Sequence, residues 1–240
     1  MDESKIIMLL TRPFEIGPQH LNDIRLKNVT KLQLGDCFFR SVEFSNKSTH
    51  RDKLRAKVFA HLISTCVQLK YLLVDNFKWL LHVTRYASRN LRNNALSNVQ
   101  YVEFGIPSCN RGPKKSIHLG KRLLPFLVTN MPYLQTLRLW RPDDFPWTTI
   151  RPDFLKSGYF HSIGERRWIQ SLQTPQSINE HVAIFQEDLS QLFEQLKQIV
   201  FLDIYGKIPR EKVEPYRLML QSCFPNSQFD IQISRFRLWI

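Results

Sequence analysis

Glycine is scarce, at 8 of 240 residues. With it go the glycine-built phosphate cradles: neither G-x-x-x-x-G-K-[ST] nor G-x-G-x-x-G occurs. G-x-S-x-G and H-E-x-x-H are also missing, and the 7 histidines stand singly. The four cysteines, Cys37, Cys66, Cys109 and Cys223, include no C-x-x-C pair and have no closely spaced histidine, so they build neither a zinc site nor a redox motif. They read as free thiols, mostly buried. The adjacent acids Asp143-Asp144 and Glu187-Asp188 diverge in direction and read as a turn and an exposed helix face. No catalytic residue, cofactor or metal is therefore expected, and the chain reads as non-enzymatic.

Long apolar runs are missing too. The longest, such as Ile6-Ile7-Met8-Leu9-Leu10, falls far short of the roughly 18 residues of a membrane helix. Acids precede the first lysine, and no small-residue cleavage site follows, so a secretory leader is not indicated and an intracellular address, cytoplasmic or nuclear, is expected. Acidic residues are in deficit, 21 against 34 basic ones, for a formal charge of +13. Such a surplus attracts RNA, DNA or acidic headgroups alike without selecting among them.

What the chain does have is repetition. Apolar residues recur at offsets 1, 4 and 6 of one frame: Val29, Leu32, Leu34; Leu69, Leu72, Val74; Val99, Val102, Phe104; Leu134, Leu137, Leu139; and Ile199, Leu202, Ile204. The second half of each frame alternates with the period of a strand. Strands are expected near 29–34, 69–74, 99–104, 134–139 and 199–204. Helical patterns separate them: Leu54, Val58, Leu62 and Cys66 at four-residue steps; Leu119, Leu123 and Leu127, with a kink expected at Pro125; Val182, Phe185, Leu189, Leu192 and Leu196; and a shorter one in EKVEPYRLMLQSC. Strands alternating with helices predict a parallel sheet with crossover connections.

The first frame continues to Cys37, completing L-x-x-L-x-L-x-x-C, and here the chain resembles the leucine-rich repeat family. Phe77, Pro107, Pro142 and Lys207 hold the ninth position later, and successive frames start 40, 30, 35 and 65 residues apart. The likeness is thus to irregular, long-period repeats such as those of F-box adaptor proteins. The F-box itself is not evident. The resemblance implies an α/β leucine-rich-repeat-like solenoid, a curved parallel sheet with helices on its outer side, as a single domain over 1–240. It also implies a protein-binding role, extending to a substrate-recruiting adaptor of F-box type. An aromatic, proline-rich insertion at 140–176 reads as a long ordered loop or a degenerate repeat, and 227–240, with Phe229, Ile231 and Ile233 alternating, as a capping strand.

Offsets 3, 5 and 7 must then point away from the core. They give three columns: Lys31, Tyr71, Tyr101, Thr136, Phe201; Gln33, Leu73, Glu103, Arg138, Asp203; and Gly35, Asp75, Gly105, Trp140, Tyr205. Five of the fifteen are aromatic in a chain that is 12% aromatic, and rings among single charges are what protein-recognition hot spots favour. Tyr71, Tyr101, Glu103, Arg138, Trp140, Asp203 and Tyr205, with Trp147 from the insertion, are the candidate partner-binding residues. The alternative for this face is that a helix or the insertion covers it and its rings are ordinary core. The alternative function is nucleic-acid binding through the basic group Arg111, Lys114, Lys115, Lys121 and Arg122 around a helix start. The columns carry about one net negative charge, so the basic excess is expected on the helices and loops.

Overall fold

The computed structural model describes residues 5–8, 26, 28–34, 50–106, 120–140 and 173–240. The elements run in the order β1 (Lys5–Met8), β2 (Lys31–Leu34), α1 (His50–Thr65), β3 (Tyr71–Val74), α2 (Lys78–Tyr86), β4 (Tyr101–Gly105), α3 (Leu123–Asn130), β5 (Thr136–Trp140), α4 (Pro175–Gln195), β6 (Phe201–Tyr205), α5 (Arg210–Cys223), β7 (Gln228–Gln232) and β8 (Arg235–Trp239). The chain is α/β, with one eight-stranded sheet in the order β1-β2-β3-β4-β5-β6-β8-β7. The first six strands are parallel and lie side by side in chain order.

The rungs stack in register. Lys31, Tyr71, Tyr101, Thr136 and Phe201 pair in succession, as do Leu32, Leu72, Val102, Leu137 and Leu202. Each rung joins the next through the same contact ahead of the strand. The Thr30 carbonyl accepts from the N–H groups of Lys70 and Tyr71 at 2.8 and 2.9 Å, and Lys70, Gln100 and Gln135 do likewise for the following rungs. Before it comes a recurrent turn, in which Val29, Val99, Leu134 and Ile199 donate to Leu26, Leu96, Met131 and Leu196, each at 3.1 Å. Those acceptor residues are buried, and so is Cys66 at the equivalent place, where burial pushes its thiol up to about 11. The repeated frame is thus longer than offsets 1, 4 and 6, and begins three residues earlier.

Even positions of the strands and the buried faces of the helices form one continuous core from Leu26 to Leu238. Phe77 packs on Phe104, tilted, and on Phe126, edge to face, with ring centroids 5.5 and 5.4 Å apart, and Phe185, Tyr216 and Phe236 form a separate edge-to-face group. Phe77 therefore fills the ninth position of its rung as a core residue.

Several expectations need correction. On α1 the buried stripe is Ala56, Phe59, Ala60 and Ile63 together with Leu62, while Leu54 is 46% exposed. Four-residue steps drift around the helix, whereas i, i+3, i+4, i+7 follow one face. Ahead of Pro125 the helical stretch is interrupted, with Gly120 and Lys121 helical, Arg122 a turn and α3 starting at Leu123, so Pro125 lies in the first turn of α3 just after the break. The helix α2 was not expected from the sequence; Asn76 Oδ1 accepts from the Lys78 N–H at 3.0 Å and starts it. Asp188 is buried on α4 and does not lie on an exposed face.

The tail is a hairpin of two strands where one capping strand was expected. β8 turns back and inserts between β6 and β7, antiparallel to both. Because β5 pairs directly with β6, the segment between them adds no rung there. Its central residues, 141–172, lie outside the described residues.

Candidate functional site

The even strand positions face the helices, so the odd ones form the opposite face, and on β4–β8 they assemble into three cross-strand rows. The middle row pairs Glu103 with Arg138, Arg138 with Asp203, Asp203 with Arg237, and Arg237 with Asp230. Its charge alternates across five strands. One flanking row holds Tyr101, Thr136, Phe201 and Trp239; the other holds Trp140, Tyr205 and Arg235.

Side-chain contacts tie the rows together. Asp203 accepts two hydrogen bonds from Arg235, Nε to Oδ1 at 2.9 Å and Nη2 to Oδ2 at 2.8 Å. Arg138 Nε lies 3.1 Å from Asp203 Oδ2, close but off the N–H axis, so this contact is an ion pair and leaves the N–H without a hydrogen-bond acceptor. Glu103 accepts from Tyr101 Oη through Oε2 at 3.0 Å and from Trp140 Nε1 through Oε1 at 2.5 Å. Arg237 pairs with Asp230.

Trp140 stacks on Tyr205 with centroids 4.1 Å apart and planes 7° off parallel, and Phe201 stacks on Trp239 at 4.9 Å. Tyr71 and Tyr101 meet at 5.7 Å. Each arginine also lies over a ring: Arg138 over Tyr101, Arg235 over Tyr205 and Arg237 over Trp239.

Burial, reinforced by the neighbouring Glu103 carboxylate, holds the Tyr101 phenol well above its ordinary range, so it stays a proton donor. Burial, then the Asp203 charge, raises Tyr205 as well. The hydrogen bond to Asp203 raises Arg235 further.

Of the candidate residues, Tyr71, Tyr101, Glu103, Arg138, Trp140 and Tyr205 come together here as partly exposed side chains. Asp203 belongs to the same face but is 0% exposed, so it cannot touch a partner and acts by holding two arginines in place. Trp147, Arg111, Lys114 and Lys115 lie outside the described residues. Lys121 and Arg122 are exposed just ahead of α3, on the helical side of the sheet.

Phe201 stood in a column without being singled out. Arg235, Arg237, Asp230 and Trp239 were missed entirely, although RFRLW already alternates like a strand. With them, β4–β8 carry three arginines against three carboxylates, which replaces the negative balance expected from the columns alone. Among the described residues no group of three or more His, Cys, Asp or Glu is placed to hold a metal ion, and no helix is long and apolar enough to cross a membrane. No protein-family model matches the chain, and no curated protein or solved structure is significantly similar to it.

Proposed function

We propose that this chain is a non-enzymatic protein-interaction module: an irregular leucine-rich-repeat-like solenoid that presents the odd face of its sheet to a protein partner. The observation that carries this reading is the register. Five parallel strands with the same pairing offset align Tyr71 with Tyr101, and Trp140 with Tyr205, into a preorganised aromatic surface. Rings held by stacking and hydrogen bonds before contact lose little conformational freedom on binding, which favours affinity. The leucine frame adds support for a substrate-recruiting adaptor of F-box type, acting inside the cell.

Affinity capture followed by mass spectrometry, at low and high salt, tests it. Wild-type protein should retain its partner at high salt, Tyr101→Ala and Trp140→Ala should each weaken it by about 2 kcal/mol, and neutralising Lys121 and Arg122 should leave it unchanged. The opposite pattern, with recovery of nucleic acid that is lost steeply as salt rises, would establish the basic helical surface as the binding site instead.

A further inference from the structure

On the proposed docking face, the carboxylate oxygens are more fully engaged than the guanidinium donors. Asp203 is fully buried and both its oxygens are engaged. Both oxygens of Glu103 are taken by Tyr101 and Trp140. The arginines lie above them: the side chains of Arg138, Arg235 and Arg237 are 33%, 26% and 27% exposed. Asp230 is more exposed, at 36%, but its two oxygens accept from Gln232 and Arg237, and each arginine uses only part of its five-donor fork on these acids. The three carboxylates and three arginines of β4–β8, neutral by count, therefore offer a partner mostly N–H donors, framed by rings.

We infer that the occupant is a protein segment in the polyproline II conformation bearing Asp or Glu side chains, crossing the strands along this row. Arg138 and Arg237 share one register level on β5 and β8, with β6 between them. At about 4.8 Å per strand they are roughly 10 Å apart, which a polyproline II segment, rising about 3.1 Å per residue, covers in about three residues, one full turn, so that positions i and i+3 share a face. Acids at i and i+3 meet the two guanidinium groups, and apolar side chains between them rest on Trp140, Tyr205 and Trp239. Arg235, locked in its bidentate pair, supplies the field between these contacts and the Trp140 end.

This inference rests on the docking reading above. It is tested by panning a displayed random dodecapeptide library on the full chain, then measuring fluorescein-labelled winners by anisotropy. The winners should be enriched about twofold or more in acid pairs three residues apart. Arg138→Gln and Arg237→Gln, each confirmed as folded by circular dichroism, should weaken them about tenfold, with partial recovery in Arg237→Lys.

Winners without acid enrichment that are still lost on Tyr101→Ala would overturn the acidic occupant and keep the docking face. Winners that bind every face variant equally would overturn both. Acidic winners lost only on neutralising Lys121 and Arg122, or displaced by oligothymidine at equal charge, would show that the anion site is elsewhere or serves nucleic acid, which overturns it as well.

Discussion

Asp203 offers the sharpest quantitative test of how the strand face is held together. Asp203→Asn keeps the shape and removes the charge. Three contacts change at once: the two Arg235 hydrogen bonds at 2.9 and 2.8 Å and the Arg138 ion pair at 3.1 Å. Hydrogen bonds to charged groups contribute about 1.5–3 kcal/mol each, and breaking a fully buried pair costs about 3–5 kcal/mol.

The guanidinium groups are partly exposed, however, and water solvates them once the carboxylate is gone, which returns part of the loss. The net expected cost is about 2–3 kcal/mol, or a melting point lower by about 4–12 °C. Asp230→Asn is the control, because its carboxylate is as accessible as the arginine it meets; it should cost under about 1 kcal/mol. Urea unfolding of both variants, read as a shift in midpoint at constant slope, decides between them. A cost for Asp203→Asn below about 1 kcal/mol, or no larger than that of Asp230→Asn, would refute the view that a buried carboxylate organises this face.

Two further predictions concern the other side of the sheet. Burial, then the nearby Lys78 and Arg85, hold His82 below its ordinary value of 6.5, with Asp52 opposing. The unfolded chain therefore binds the proton first. The His82 contribution is complete above about pH 6.5 and is lost as pH falls toward the depressed folded value, by at most about 1.4 kcal/mol per pH unit. His82→Gln should flatten that part of the stability profile relative to wild type in denaturant titrations between about pH 5 and 7, and an unchanged difference across the range would rule the account out. On α1, Leu62→Ala should cost about 2–5 kcal/mol by creating a cavity, while Leu54→Ala should cost under about 0.5 kcal/mol; comparable midpoints would mean that the buried stripe has been placed on the wrong face.

Much of the sheet was legible in the residues because strand alternation has a period of two. Once Leu32, Leu72, Val102, Leu137 and Leu202 are assigned inward, their neighbours Gln33, Leu73, Glu103, Arg138 and Asp203 must point outward, and a slip of one residue would bury charges. What alternation cannot give is depth. Asp203 and Arg138 share a column, yet one is sealed and the other accessible, because β8 delivers Arg235 over Asp203 alone. That strand was hard to foresee: the connection Ile233-Ser234 contains neither glycine nor asparagine, the usual marks of a two-residue hairpin. The helix α2 was obscured by its length of nine residues, in which Trp79-Leu80-Leu81 reads as a bare apolar run.

Unequal spacing between frames is the feature that argues most strongly against ordered stacking, and its energetic weight is small. A flexible connection gains only about 0.6 kcal/mol of closure cost with each doubling of length, so the difference between the 30- and 65-residue spacings amounts to less than about 1 kcal/mol. Against it, the last parallel rung buries Leu202 and Ile204 completely, at about 1.5–3 kcal/mol per side chain, and repeats the two-donor contact of Val200 and Phe201 with the Gln135 carbonyl. Burial on the helical side therefore outweighs irregular connections and fixes the register. The fixed register in turn aligns Glu103, Arg138, Asp203, Arg237 and Asp230 across the opposite face. The row on the odd face is thus set by the register of the rungs.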